Sequence, residues 1–380
     1  MCGIAGSFLD SQFSVHRATE RLRHRGPDGL AVQEWEGVTH GHCRLALLDL
    51  SSASAQPFMC RKGCLSFVGE IWNYRELRAE LIALGQVFRT TGDTEVLAVA
   101  LHVWGISALN RLDGMFAFAW SSPDLRILAR DAYGKIPLYV ATRGAGVCWA
   151  SERKAFSGEI FESVHALPPG CVMDMHSNVV SPWYQFPNWE TKALDVSQFN
   201  GRNILEHAVA KRLNADAPVC VLISGGLDSA GVLCAARATR PDVVAYTAFS
   251  DEKSPDLAAA RRLCTEIGVE LREVCVPFPT SEDLRAAVWA IEIPMKAQVE
   301  IAVLCLPLAK RIAADGFKAC LSGATAEEIL EKELSLGGVQ RPISPHIIPV
   351  TAQRFFQFGE FVGWIYEKEE QGLQPNHNFT

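Results

Sequence analysis

Short apolar runs separated by turn signals dominate the first half of the chain. Residues 4–8, 45–50, 65–68, 115–120, 126–129 and 138–141 are such runs, and Gly-Pro-Asp, Ser-Ser-Pro-Asp and Ala-Tyr-Gly-Lys lie between them. This spacing predicts packed antiparallel sheets. Two stretches with helical period interrupt the strands. Residues 74–84 carry Leu77, Leu81 and Leu84 on one face, and residues 94–109 follow Asp93 and Thr94, either of which suits a helix cap.

The texture changes near residue 185. Trp183-Tyr184-Gln185-Phe186-Pro187-Asn188 reads as a boundary, and after Phe199 the pattern becomes strand, loop, helix, repeated. Residues 218–223 form an apolar run of the kind found in buried parallel strands. Gly225-Gly226 follows, then a predicted helix from Asp228 or Ser229 to about Thr239. A strand is expected at 243–249, a helix at 257–267, and a strand at 317–321, again followed by Ser-Gly. Alternation of this kind predicts an α/β sheet with helices on both faces. The last forty residues are the least patterned, with one helix expected around 352–370. The chain therefore reads as two domains, 1–185 and 200–380, in agreement with its length of 380 residues.

Composition narrows the function. The chain is 48% hydrophobic and 21% charged with a formal net charge of -7, which fits a packed globular protein and excludes disorder. A mild acidic excess gives no electrostatic reason to expect nucleic acid or an anionic membrane as partner. No apolar stretch approaches the roughly 20 residues of a membrane span, and Met1-Cys2-Gly3-Ile4 lacks the basic and apolar regions of a signal peptide. The expected compartment is the cytoplasm. The 12 cysteines are scattered, as buried thiols in a reducing cytosol would be. Cys60-x-x-x-Cys64 near His40 and His42 does not have paired zinc-ligand spacing, so no metal is expected there.

Chemistry enters at Met1-Cys2-Gly3. Removal of Met1 would place the Cys2 thiol beside its own α-amine, a nucleophile that carries its own base. The segments that follow are Arg23-His24-Arg25-Gly26-Pro27-Asp28-Gly29, Cys43-Arg44-Leu45 at the opening of a strand, and Gln56-Pro57. Then come Gly69-Glu70-Ile71-Trp72-Asn73-Tyr74, Gly92-Asp93-Thr94-Glu95-Val96, Leu112-Asp113-Gly114-Met115-Phe116 and Ala129-Arg130-Asp131. In this order, over residues 1–170, they resemble the glutaminase domain of class II glutamine amidotransferases of the asparagine synthetase type. The resemblance implies an N-terminal-nucleophile α/β/β/α sandwich. It implies that Cys2 attacks the glutamine side-chain amide, with Gly69 offering a backbone N–H to the oxyanion. Arg44 would hold the substrate α-carboxylate, where a guanidinium fork suits a planar anion. Asp93 would hold the α-ammonium, with Glu70 nearby. One position departs from the pattern: the family has Asn before Gly-Glu, and here it is Val68, which cannot donate a hydrogen bond. The Lys of the family's Gly-x-Lys-Pro-Leu-Tyr also stands one position early, as Lys135.

The second constellation is Ser224-Gly225-Gly226-Leu227-Asp228-Ser229, between a predicted strand and a predicted helix. Glycines admit a phosphate to the backbone, and helix-start N–H groups point at it. The string looks like the pyrophosphate loop of ATP pyrophosphatases and lacks the Gly-Lys-Ser/Thr of a Walker A loop. The resemblance implies ATP contacts at Leu222, Ile223, Ser224, Gly225, Gly226, Asp228, Ser229, Phe249, Ser322 and Gly323. Mg²⁺ would lie at Asp228 and Glu327, since it favours carboxylates together with substrate phosphates. Ala324 and Thr325 replace the family's Glu and Gly, and Glu331-Lys332-Glu333 replaces its Gly-Gly-Tyr. Beyond residue 335 the resemblance thins, and Arg341-Pro342, Arg354-Phe355-Phe356, Lys332 and Lys368 only faintly echo the family's acceptor region.

The expectation is a two-domain, ATP-dependent amide ligase. It would adenylate a carboxylate such as aspartate and displace AMP with ammonia from glutamine, passed through an internal tunnel, in a homodimer. Two alternatives stand beside it: the same chemistry on another carboxylate with ammonia or another amine, because of Val68, and a non-catalytic regulatory relative.

Overall fold

The structure is a computed structural model that describes residues 1–185 and 201–323. Glu327 and the expected helix at 352–370 lie outside the described residues. The chain divides into two compact units, one of residues 1–199 with 214–218, the other of residues 200–213 with 219–380.

The first unit contains twelve strands and three α-helices among its described residues. In chain order they are β1 (Gly3–Phe8), α1 (Val15–Arg21), β2 (Gly29–Trp35), β3 (Val38–Arg44), β4 (Phe58–Cys60), β5 (Gly63–Ile71), α2 (Tyr74–Ala83), α3 (Asp93–Trp104), β6 (Gly114–Ser121), β7 (Arg126–Arg130), β8 (Tyr139–Arg143), β9 (Gly146–Ala150), β10 (Ser163–Ala166), β11 (Cys171–Asp174) and β12 (Val180–Pro182). They form two six-stranded sheets, ordered β10-β8-β9-β1-β3-β2 and β12-β11-β7-β6-β5-β4. Every pairing in both is antiparallel. Helix α1 packs on the first sheet and α3 on the second, with α2 beside α3 and sharing its core. The layers are therefore α/β/β/α.

Strand alternation explains the layering. Leu65, Phe67 and Ile71 of β5 join Phe116, Phe118 and Trp120 of β6 in a core shared with α2 and α3. The residues between them face the first sheet. Ser66 Oγ lies 3.1 Å from His40 Nδ1 of β3, and Ser121 Oγ lies 2.9 Å from His40 Nε2. Both ring nitrogens of this buried histidine are thus satisfied by hydroxyls of the opposing sheet, and burial holds its pKa down at about 3.

Three expectations are corrected. Residues 45–50 are an irregular loop, and Cys43-Arg44-Leu45 ends a strand rather than opening one. The Leu45 and Ala46 N–H groups are taken by Cys2 Sγ and Asp28 Oδ2, and Asp49 has φ of 47°, so no ladder continues. The helix expected to Leu109 stops at Trp104, where Gly105 (φ 58°) caps it, and a 3₁₀ stretch follows. Trp183 is no free boundary residue: its indole N–H donates to the Arg130 carbonyl at 3.0 Å and its ring stacks on Phe116.

The second unit contains α4 (Gly201–Arg212), β13 (Val219–Leu222), α5 (Leu227–Thr239), β14 (Val244–Phe249), α6 (Pro255–Ile267), β15 (Glu270–Cys275), α7 (Ser281–Ile291), α8 (Lys296–Ala314) and β16 (Ala319–Leu321). Its sheet is parallel, in the order β15-β14-β13-β16. The chain moves outward from β13 to β14 and β15, then returns to the other side of β13. The strand order reverses between β13 and β16, and ligands of open α/β sheets bind in the crevice at such a point.

Candidate functional site

Gly3 of β1 stands opposite Cys43 of β3, so Cys2 lies beside the segment that leaves β3. The Leu45 N–H donates to Cys2 Sγ at 3.3 Å, and the thiol faces the Leu45 carbonyl at 3.5 Å. Arg25 Nε donates to the Cys2 carbonyl at 2.9 Å while its other arm donates to Glu152 Oε1 at 2.7 Å. His24 and Lys154 also meet Glu152, at 3.0 and 3.1 Å. Burial opposes ionisation of Glu152, but Arg25, His24 and Lys154 outweigh it and hold the carboxyl well below the usual range. Burial pushes the Cys2 thiol up. The Leu45 backbone, the terminal ammonium, Arg25 and Arg44 pull it only partway back, so the thiol stays protonated until a base takes its proton.

Arg44 closes β3. Its guanidinium donates to the carbonyls of Asp49 at 2.6 Å and Ser51 at 2.9 Å. The end of β5 supplies Val68, Gly69 and Glu70. Alternation from Ser66 turns Val68 toward the first sheet, where it is fully buried. Gly69 has φ of 129°, and a Cβ there would stand 1.9 Å from the Met115 carbonyl, so the position requires glycine. Glu70 is buried. The next N–H, of Ile71, donates to Asp93 Oδ2 at 2.9 Å. Asp93 is the first residue of α3, and burial pushes its carboxyl up to about 6. The Ile71 N–H, the first N–H groups of the helix and Arg78 pull the other way.

Hydrogen bonds to the residues themselves or to their close chain neighbours thus gather Cys2, Arg44, Asp93 and Glu70 in the first unit. Cys2 touches Leu45, beside Arg44. Arg44 touches Asp49, whose carboxylate accepts from Thr91 N–H, two residues before Asp93. Asp93 touches Ile71, beside Glu70. Glu152 and Asp49 were not singled out from the sequence. Glu152 is distant in sequence from the His24 and Arg25 it meets, and Asp49-Leu50-Ser51-Ser52 offers only a turn signature.

In the second unit, Ser224 through Gly226 form the loop between β13 and α5. Ser229 Oγ donates to the Gly226 carbonyl at 3.0 Å and accepts from Ser224 N at 3.2 Å. Gly225 has φ of 87°, and a Cβ there would lie 2.4 Å from the Asp256 carbonyl of α6. A Cβ on Gly323 would lie 2.6 Å from Ser229 N. Gly225 therefore lets the loop after β13 pack on the start of α6, and Gly323 lets the segment after β16 pack on the first turn of α5, beside the strand-order reversal. Leu222 and Ile223 lead into the loop, and Phe249 ends the neighbouring strand β14. This cradle, at the N-terminus of the 13-residue α5, fits a polyphosphate. Of the two expected Mg²⁺ ligands, Asp228 stands in the first turn of α5. No described helix is long and apolar enough to cross a membrane.

Residues 1–160 match the family model of a glutamine amidotransferase domain, and residues 200–337 that of asparagine synthase. A glutamine-hydrolysing asparagine synthetase of Arabidopsis thaliana is 32% identical over 354 residues, covering 87% of this chain and 60% of that protein. One from Sandersonia aurantiaca is 30% identical over 357 residues, covering 87% and 66%. The chain thus spans less than two thirds of the length of these relatives. Among solved structures, a glutamine phosphoribosylpyrophosphate amidotransferase from B. subtilis is 16% identical with a TM-score of 0.44, covering 72% of this chain and 91% of that one, a likeness too slight to carry an argument. On the two family models and the curated relatives, the chain belongs to the asparagine synthetase-like glutamine amidotransferases.

Proposed function

We propose that the chain is an ATP-dependent amide ligase of the asparagine synthetase type. The observation that carries this reading is the set of hydrogen bonds Leu45–Cys2, Arg44–Asp49 and Thr91–Asp49 that gathers Cys2, Arg44 and the start of α3 in the first unit, in a chain that also holds a glycine cradle at a strand-order reversal.

In the glutaminase half, Arg44 holds the α-carboxylate of glutamine and Asp93 its α-ammonium, with Glu70 beside it. With Met1 removed, the Cys2 α-amine takes the thiol proton. The sulfur adds to the side-chain amide carbon while the Gly69 N–H steadies the oxyanion. The C–N bond breaks, ammonia leaves with the proton, and water hydrolyses the γ-glutamyl thioester to glutamate.

In the synthetase half, the Ser224–Ser229 loop with Ser322 and Gly323 grips ATP, and Leu222, Ile223 and Phe249 line its base. Asp228 and Glu327 would hold Mg²⁺, which would supply charge neutralisation at the phosphates when bound. The acceptor carboxylate attacks the α-phosphate, pyrophosphate leaves, and ammonia displaces AMP to form the amide. Aspartate is the acceptor that the relatives' names suggest.

Val68 favours a second reading of the nitrogen source. With no side-chain donor at that position, ammonia or another amine from solution feeds the ligase more efficiently than glutamine does. The test is pyrophosphate release from Mg·ATP across a panel of carboxylates, each supplied with ammonium or with glutamine. Asparagine and pyrophosphate with both nitrogen sources support the first reading. Turnover with ammonium alone supports the second. Turnover only with another acid replaces aspartate as acceptor, and silence with ATP still bound overturns the ligase reading.

A further inference from the structure

We propose that Asp49 is a positioning residue for glutamine recognition, a strut that fixes the distance between Arg44 and the entrance to α3 that carries Asp93. The proposal rests on the glutaminase reading above and goes beyond it, because no catalytic or binding role there falls to Asp49.

Asp49 sits at the centre of the loop after β3. One carboxylate oxygen accepts from the Ser51 N–H at 3.1 Å and the Ser51 hydroxyl at 2.5 Å. The other accepts from the Thr91 N–H at 2.8 Å. Its carbonyl accepts from Arg44 at 2.6 Å, and the carbonyl of Ser51, which Asp49 holds, accepts from the other arm of the same guanidinium. Its own N–H donates to Asp216 Oδ2 at 2.7 Å. Every polar group of this residue is therefore committed, in a left-handed backbone conformation (φ 47°) that non-glycine residues seldom adopt. On the far side, Arg78 donates to the Thr90 and Gly92 carbonyls, both at 2.8 Å. The Thr90–Gly92 segment is held between Asp49 and Arg78 just before Asp93. A Cβ on Gly92 would lie 3.2 Å from Asp49 Cβ, so the two loops are in close packing as well as hydrogen-bonded.

The geometry has a functional meaning because an amino-acid substrate presents two charges a fixed distance apart. A site that reads both needs its cation and its carboxylate at a fixed separation. Arg44 is on β3 of one sheet, and Asp93 is on a helix covering the other. Asp49 ties the two: its carboxylate takes the Thr91 N–H ahead of α3 and holds Ser51, while Arg44 donates to the main-chain carbonyls of Asp49 and Ser51. Asn has nearly the same shape but turns one acceptor into a donor, which would face either the Ser51 or the Thr91 N–H.

The experiment labels Cys2 of the full chain with two electrophiles. A diazoketone analogue of glutamine carries the α-ammonium and α-carboxylate, whereas iodoacetamide carries neither. Labelling is read by peptide mass. In Asp49→Asn the half-saturating concentration of the diazoketone is expected to rise roughly 10- to 100-fold, with the iodoacetamide rate within about twofold of wild type. An unchanged diazoketone half-saturation overturns the proposal. So does a parallel loss with both reagents, which would make Asp49 merely a support of the fold. If Asp49→Asn shows no cooperative melting, Ser51→Ala removes only the hydroxyl hydrogen bond and is expected to raise the diazoketone half-saturation about 3- to 10-fold with iodoacetamide unaffected; no rise overturns the proposal. Wild-type protein that takes iodoacetamide but shows no saturable diazoketone labelling overturns the glutaminase reading itself, and the strut with it.

Discussion

Replacing Val68 by Asn restores the side-chain donor that the resemblance expects beside Gly69. Val68 is 0% exposed and shares its face of β5 with Ser66, which meets His40 of the opposing sheet. The new amide therefore enters the gap between the sheets, on the side of the sheet that begins at Cys2. One oxyanion donor is worth about 10²–10³ in rate, or 2.7–4 kcal/mol of transition-state stabilisation. The substitution also removes a buried aliphatic side chain, about 1.5–3 kcal/mol, and buries an amide whose partner is complete only in the transition state, about 1–3 kcal/mol. Val68→Asn is thus expected to raise kcat for glutamine hydrolysis by about two to three orders of magnitude while lowering resistance to urea. The assay is glutamate release at saturating glutamine, expressed per Cys2 thiol titrated, with urea unfolding on the same preparation. A folded Val68→Asn protein with unchanged kcat would refute the assignment of position 68 to the oxyanion site.

The remaining expectations concern charge and close approach. Folding raises the Asp93 pKa to about 6, so its ionisation costs stability above that pH and nothing below the unfolded value near 4. Asp93→Asn should therefore raise urea stability by about 1–3 kcal/mol at pH 8 and leave it unchanged at pH 4; equal effects at both would contradict this. In the wild type the KM for glutamine should rise as pH falls below about 6, as the carboxylate proposed to meet the α-ammonium is lost. Glu152 has the opposite sign: its folded pKa is depressed, so its contribution is present above the unfolded pKa and is lost as pH falls through the folded one. Glu152→Gln leaves Arg25, His24 and Lys154 facing a neutral group and should cost about 3–5 kcal/mol at pH 7, with a smaller difference from wild type in acid denaturation. Gly225→Ala places a Cβ 2.4 Å from the Asp256 carbonyl at a φ of 87°. ATP binding by calorimetry should weaken roughly 100-fold, while iodoacetamide labelling of Cys2 stays at its wild-type rate.

Much of the molecule was legible before its coordinates, and the reason is periodicity. Strands buried on both faces, such as β6 and β13, appear as unbroken apolar runs, and α2 shows its leucines at helical spacing. Half-exposed strands do not: β2 reads Gly-Leu-Ala-Val-Gln-Glu-Trp and is ordered by the Glu36-Gly37 turn (φ 45° and 78°) and its pairing with β3. The opposite error occurred at residues 45–50, an apolar run with strand composition that hydrogen bonds to Cys2 and Asp28 hold as a loop. Composition reports which side chains are to be buried, and it is silent on where each backbone N–H finds its acceptor.

The site divides along the same line. The sequence alone determined the residue types that could do this chemistry: a thiol near the N-terminus, Arg44, Gly69, Asp93 and the Ser-Gly-Gly string, each legible because its neighbours form a local motif. It also determined the valine at position 68. Only the tertiary structure decided that Asp49 meets both Arg44 and the Thr91 N–H ahead of α3, that Glu152 holds Arg25 beside Cys2, and that Gly225 and Gly323 are glycines because neighbouring backbone leaves no room for a Cβ. These relations join residues far apart along the chain, and a sequence pattern holds no information on which distant groups close packing will bring within hydrogen-bonding distance.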